Sequence, residues 1–244
     1  MRPALRGARG LLALALLLLP GRADAQWYVA SFTGANVTRP STVTLDQPSI
    51  QRHLDFHDVT FAAKPLESPQ YYGARIGYAI GRGFAIEGEF LHIKVISETG
   101  RTVHVTGVNG GVPVDARFRM DAIVQHHAMT HGLNFWLANL VWRHALAVRT
   151  AGRPVALVLR AGAGPVRPGV DSIVDHASVQ EYQFAGVGGQ VAAGLDVPIY
   201  KWLSAMLEYK LTRARPVLDI DRGTGRMTAL THHFAAGFAF GFSR

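Results

Sequence analysis

Apolar positions in this chain repeat with a period of two in separated stretches, and the last stretch is the plainest. Across 231–242, Phe234, Phe238, Phe240 and Phe242 alternate with His233, Ala235, Gly237, Ala239 and Gly241. That period belongs to a β-strand with one greasy face and one narrow face. Seven earlier stretches show the same habit, which predicts strands near 27–35, 71–80, 84–96, 128–142, 155–165, 182–197, 202–213 and 228–242. Their lengths are near or above the roughly 9–11 residues that cross a bilayer at a tilt. The connections alternate between short (81–83, 143–154, 196–201) and long (36–70, 97–127, 166–181, 214–227). Short periplasmic turns and long outer loops are the habit of bacterial outer-membrane barrels. The expected fold is therefore all-β: an eight-stranded antiparallel up-and-down transmembrane β-barrel with short periplasmic turns and long extracellular loops.

Strand parity separates wall from interior. In the seventh stretch Leu203, Ala205, Leu207, Tyr209 and Leu211 share one face, while Ser204, Met206, Glu208, Lys210 and Thr212 share the other. In the second, Arg75 lies with Gly73 and Gly77; in the third, Glu87 and Glu89 oppose Phe84, Ile86 and Phe90; in the fifth, Arg160 opposes Leu157 and Leu159. A charge on the lipid face at mid-bilayer costs roughly 2–4 kcal/mol, so the polar sets must face inward. Arg75, Arg160 and Lys210 should then meet Glu87, Glu89 and Glu208. An eight-stranded barrel is just wide enough for side chains to fill, and buried charges persist when paired. The expectation is a paired plug rather than a pore; a role for Glu87 or Glu89 as a catalytic acid is the rival reading.

The first 25 residues read as a cleaved signal peptide, leaving 26–244 as the barrel domain. Arg2, Arg6 and Arg9 precede an apolar run too short to span a bilayer, and Ala23-Asp24-Ala25 forms an A-x-A cleavage site. The formal charge of +8 includes four Arg and one Asp of that leader, so the mature chain would carry +5. A modest basic excess on such a barrel suits lipopolysaccharide phosphates rather than nucleic acid. With 0 Cys, disulfides and thiolate metal sites are excluded. The expected partners are lipid A or lipopolysaccharide, the outer membrane itself and the barrel-assembly machinery.

Histidine is unevenly placed. Of 11 His, only His144 falls toward the periplasmic side; His53, His57, His92, His104, His126, His127, His131, His176, His232 and His233 fall in outer loops or outer strand halves. Imidazole ligates metals and titrates near neutral pH; it also serves as a plain interfacial donor to phosphates. The tightest cluster is His53-Leu54-Asp55-Phe56-His57, whose polar members share a face if extended.

Several stretches in series resemble the outer-membrane barrel family named for lipid A oxidase. They are Tyr72-Gly73-Ala74-Arg75, Glu89-Phe90-Leu91-His92-Ile93-Lys94, Thr130-His131-Gly132-Leu133-Asn134-Phe135 with Asn139 and Trp142-Arg143, Gly162-Ala163-Gly164-Pro165, Glu181-Tyr182-Gln183, Glu208-Tyr209-Lys210-Leu211 and Thr231-His232-His233-Phe234. The resemblance implies a barrel that oxidises the proximal glucosamine of lipid A to an aminogluconate unit with oxygen. Such an oxidation calls for a metal or organic cofactor, and no nucleotide fingerprint is present. The cofactor stays open, with a divalent metal ion as the option the side chains offer. The candidate ligands are His53, Asp55, His57, His92, His131 and His233, with His92, His131 and Glu89 as catalytic candidates. Two classes stay open: a lipid A-modifying oxidoreductase, and a non-enzymatic structural or interaction barrel of the small porin-like type.

Overall fold

The computed structural model describes residues 27–242; the expected signal peptide lies outside the described residues. Among them the chain forms seventeen strands: β1 (Trp27–Thr38), β2 (Ser41–Gln47), β3 (Arg52–Val59), β4 (Phe61–Ala62), β5 (Tyr72–Gly81), β6 (Phe84–Ser97), β7 (Thr102–Asn109), β8 (Val112–Arg119), β9 (Val124–Thr150), β10 (Arg153–Pro165), β11 (Gly169–Val174), β12 (Ala177–Tyr182), β13 (Val187–Tyr200), β14 (Leu203–Ala214), β15 (Val217–Ile220), β16 (Gly223–Met227) and β17 (Ala229–Phe242). Two short 3-10 turns, Pro48–Ile50 and Met120–Ala122, are the described helical segments.

Antiparallel pairing runs β9-β10-β13-β14-β17-β1-β5-β6 and returns from β6 to β9. The sheet closes on itself, which removes free edges from the ring. Its seam, β1 against β17, pairs without interruption from Trp27↔Phe242 to Thr38↔Thr231. At one end the connections are tight: Arg82-Gly83 between β5 and β6, Ala151-Gly152 between β9 and β10, and Lys201-Trp202 between β13 and β14. The long excursions all leave the other, outer end.

Those excursions correct the sequence reading. Seventeen strands stand where eight were expected, because the stretches read as loops carry their own alternation. Strands β15-β16-β2-β3-β7-β8 form a second, six-stranded sheet, and β11 and β12 extend the ring sheet beyond β9. One face of the second sheet buries Val43, Leu45, Leu54, Phe56, Val103, Val105, Leu218 and Met227 in a cluster with Met129, Val124, Val170 and Val174. The result is an outer head with an apolar core. The stretch 143–154, read as a turn, is mostly strand: β9 runs 27 residues to Thr150. His144 therefore sits on a strand and stacks on Trp142, ring centroids 5.4 Å apart.

Ring strands expose their apolar parity outward. Ile76, Ile86, Leu140, Leu159, Val191 and Leu207 are exposed on the wall. Aromatic rings bracket them: Trp27, Tyr78, Tyr200 and Trp202 near the tight turns, and Tyr72, Phe90, Trp136, Tyr182 and Phe234 near the outer end. An apolar band between two aromatic girdles is the surface of a barrel seated in a bilayer. Antiparallel pairing around the closed ring satisfies most of the wall backbone within the sheet, as a strand in lipid requires. Inside, Phe32 lies against Gly73 and Tyr28 against Gly77; a Cβ at either glycine would stand 2.1 Å from the ring. These rings fill the lumen where a side chain is missing across the strand pair.

Candidate functional site

The inward parity assembles the charges. Glu89 Oε2 accepts from Arg75 Nε at 3.0 Å, Asn139 Nδ2 at 3.0 Å and Gln190 Nε2 at 2.7 Å, while its Oε1 accepts from Lys210. Glu208 accepts from Arg75 Nη2 at 2.5 Å and from Arg160 Nη1. Glu87 accepts from Tyr28 Oη at 2.9 Å, Asn139 Nδ2 at 3.0 Å and Arg160 Nε at 3.2 Å. Three carboxylates and three cations, contributed by four strands, thus form one network. Their side chains are at most 3% exposed. Arg75 also lies 4.3 Å over the Phe32 ring, and Lys210 lies 4.8 Å from it. All six charged positions come from sequence parity. Tyr28, Asn139 and Gln190 do not; their neutral groups raise no alarm, although their inward parity was available. Glu89 is saturated by this network and lies on the opposite face of β6 from His92, so it does not join the histidines.

Near the outer girdle a lateral cleft of about 700 Å³ opens on the outside of the wall. Tyr72, Phe90, Trp136 and Tyr182 give it aromatic walls, and His92, His131, Asn134 and Arg167 give it polar atoms. Its shape comes from an irregularity in β9. Pairing with β6 jumps from Ile93↔Leu133 to Val95↔Met129, so Thr130, His131 and Gly132 stand against Lys94 alone. Bulges of this kind re-aim side chains. Gly132 sits at φ +95°, and a Cβ there would lie 2.3 Å from the His92 ring. The bulge turns His131 to solvent beside Tyr182, and leaves room for His92, which is 4% exposed.

Local bonds hold the cleft. His92 stacks on Tyr72 with centroids 4.9 Å apart, and its Nδ1 lies 2.8 Å from Asn134 Oδ1. Asn134 Nδ2 donates to the backbone oxygens of Arg167 at 3.1 Å and His131 at 3.4 Å. Lys94 Nζ donates to the carbonyls of Ser68 at 2.9 Å and Glu67 at 3.1 Å, pinning the strap that carries Pro69 to the rim. From sequence, Asn134 enters only through the resemblance. On the outward parity of a membrane strand a buried amide is anomalous, and that was the available signal.

The other metal candidates lie elsewhere. His53, Asp55 and His57 do share the solvent face of β3. There His53 Nδ1 faces Asp46 at 3.6 Å, Asp55 accepts from Thr44 at 2.6 Å, and His57 Nε2 meets Thr106 Oγ1 at 2.8 Å. His233 is fully buried inside the barrel, with Nε2 2.9 Å from Thr212 Oγ1. The six candidates thus occupy three separate places. Among the described residues no three His, Asp or Glu side chains are placed to hold one metal ion. Two imidazoles without a carboxylate in the cleft fall short of the three protein ligands that usually fix a catalytic metal. The donor set does not fit a resident metal.

No protein-family profile matches the chain, and no curated protein sequence matches it. Solved structures do. The outer membrane protein OprG from Pseudomonas aeruginosa aligns over 93% of this chain and 99% of its own, at 9% identity and a TM-score of 0.45. The outer membrane protein AlkL aligns over 92% and 93%, at 10% identity and 0.42. The outer membrane protease OmpT from Escherichia coli aligns over 89% and 96%, at 8% identity and 0.42.

Proposed function

We propose that this chain is a plugged outer-membrane barrel that works on lipid A from outside the wall, with the lateral cleft as its site. One observation carries the reading. His92 on β6 and His131 on β9 both line an outward cleft at the outer aromatic girdle, where a bilayer places its headgroups. The cleft has aromatic faces for sugar rings and acyl chains and the Arg167 guanidinium for a phosphate. The lumen offers no such site, because its charges are consumed by one another.

The reaction assigned to the cleft is the oxidation that the sequence resemblance implies. A lactol loses two hydrogens and two electrons to dioxygen by way of a redox cofactor that the side chains of the cleft do not themselves supply, giving a lactone and hydrogen peroxide. Water then opens the lactone to the aminogluconate; the residues of the cleft would bind and orient the sugar. The test is mass spectrometry of lipid A from cells with and without the gene, grown in air. A gene-dependent gain of one oxygen on the proximal sugar, lost in a His92→Phe, His131→Phe double variant, supports the reading. Unchanged lipid A, with the barrel folded in the outer membrane, overturns the oxidation. It favours the second reading, a non-catalytic structural or interaction barrel, to which the filled lumen lends support.

A further inference from the structure

On the reading that the cleft receives a lipid A headgroup, we propose that His92 recognises a sugar hydroxyl there as a hydrogen-bond acceptor of fixed tautomer. Asn134 fixes the tautomer. Its Nδ2 points at two carbonyl oxygens, those of Arg167 and His131, at 3.1 and 3.4 Å. Carbonyls only accept, so the amide nitrogen belongs on that side and Oδ1 on the side of His92. An amide oxygen also only accepts. The His92 Nδ1 it faces at 2.8 Å must therefore carry the proton. A neutral imidazole has one N–H, which leaves Nε2 with a bare lone pair.

Nε2 has no hydrogen-bond partner among the described residues, although the residue is 96% buried, being 4% exposed, and its ring lines the cleft. The ring cannot turn to mend this. Tyr72 stacks on one side, and the Gly132 backbone lies so near on another that a Cβ would stand 2.3 Å from the ring. A buried acceptor held this way calls for a donor from the ligand. Phosphate ester oxygens bring acceptors, and an acyl chain brings neither kind of group. A sugar hydroxyl brings the donor. The same cleft thus divides its work: Arg167 meets the phosphate, the aromatic walls meet the chain and ring face, and His92 meets a hydroxyl. His92 is a binding and positioning group in this assignment, whatever reaction follows.

The experiment is nitrogen-15 NMR of ring-labelled histidines in the full chain refolded in dodecylphosphocholine micelles, which carry no hydroxyl donor. His92→Phe, which keeps a ring against Tyr72, assigns the resonance. The free protein should show a protonated Nδ1 and an unprotonated Nε2. Purified lipid A should move Nε2 toward the hydrogen-bonded range while leaving Nδ1 in place, and His92→Phe should weaken lipid A binding about tenfold, read from the change in tryptophan fluorescence on titration. A protonated Nε2, or an Nε2 unmoved at the highest lipid A concentration, overturns the proposal; should His92→Phe fail to fold, His92→Gln assigns the resonance in its place. If cellular lipid A is unmodified but Nε2 moves, the oxidation falls and this assignment stands. If lipid A is oxidised but Nε2 does not move, this assignment falls alone.

Discussion

At the residue scale the lumen shows why a charge can be read from sequence and its neutral partners cannot. Glu208 touches two guanidiniums and has Lys210 at 3.6 Å. Removing one partner of a buried ion pair leaves the other uncompensated and costs roughly 3–5 kcal/mol. Glu208→Ala should lower stability by that amount, measured as the midpoint shift in urea unfolding of the micelle-bound barrel. A change within about 0.5 kcal/mol, the range of plain surface substitutions, would show that the network does not hold the wall. Arg75, Glu87, Glu89, Arg160, Glu208 and Lys210 were legible because period-two parity and the lipid penalty together allow them one direction. Asn134 and the His92 environment were not. A bulge at Thr130, His131 and Gly132 shifts register, and no periodicity announces where a strand will slip. The convergence of His92 with His131 was legible only as nearness on adjacent strands.

At the element scale the head is the part whose strands were missed. Val43 and Leu45, Leu54 and Phe56, and Val103 and Val105 alternate as well as any ring strand, but in runs too short to cross a bilayer. A barrel template assigns such runs to loops. Yet each buries one face, and short strands stacked into a second sheet gain a core together that none has alone. Inside that core His127 is 3% exposed, and burial holds its imidazole down to about 4, with His126 beside it acting in the same direction. A base whose folded value is depressed stabilises the fold above its unfolded value, 6.5, and loses that contribution as pH falls toward the folded one. Between about pH 6.5 and 4 the head should lose on the order of 3 kcal/mol. Hydrogen exchange at pH 7 and pH 4.5 should show protection falling in β2, β3, β11 and β16 while the ring strands stay protected. His127→Leu should flatten the difference; equal loss of protection in head and ring would contradict it.

At the scale of the whole molecule, closure and filling make different demands. Closure of the ring satisfies the backbone in lipid, and it would be met equally by a hollow tube. What decides against a pore is how the inside is used. Lys210, Thr212, Thr231 and His233 are each 0% exposed, so water does not reach the level of the charge network from the outer end. Above them Tyr71, Leu91, Leu133 and Phe135 run continuously into the apolar core of the head. An ion entering from outside would have to cross that core and then part carboxylates already bound to guanidiniums. The barrel should therefore show no unit conductance in planar bilayers under an applied potential. Replacing Arg75, Glu89 and Glu208 together by Ala should not simply open it, because the apolar cap above remains; openings should appear only when the head is also melted at low pH. Steady conductance of the native chain at neutral pH would refute the plug.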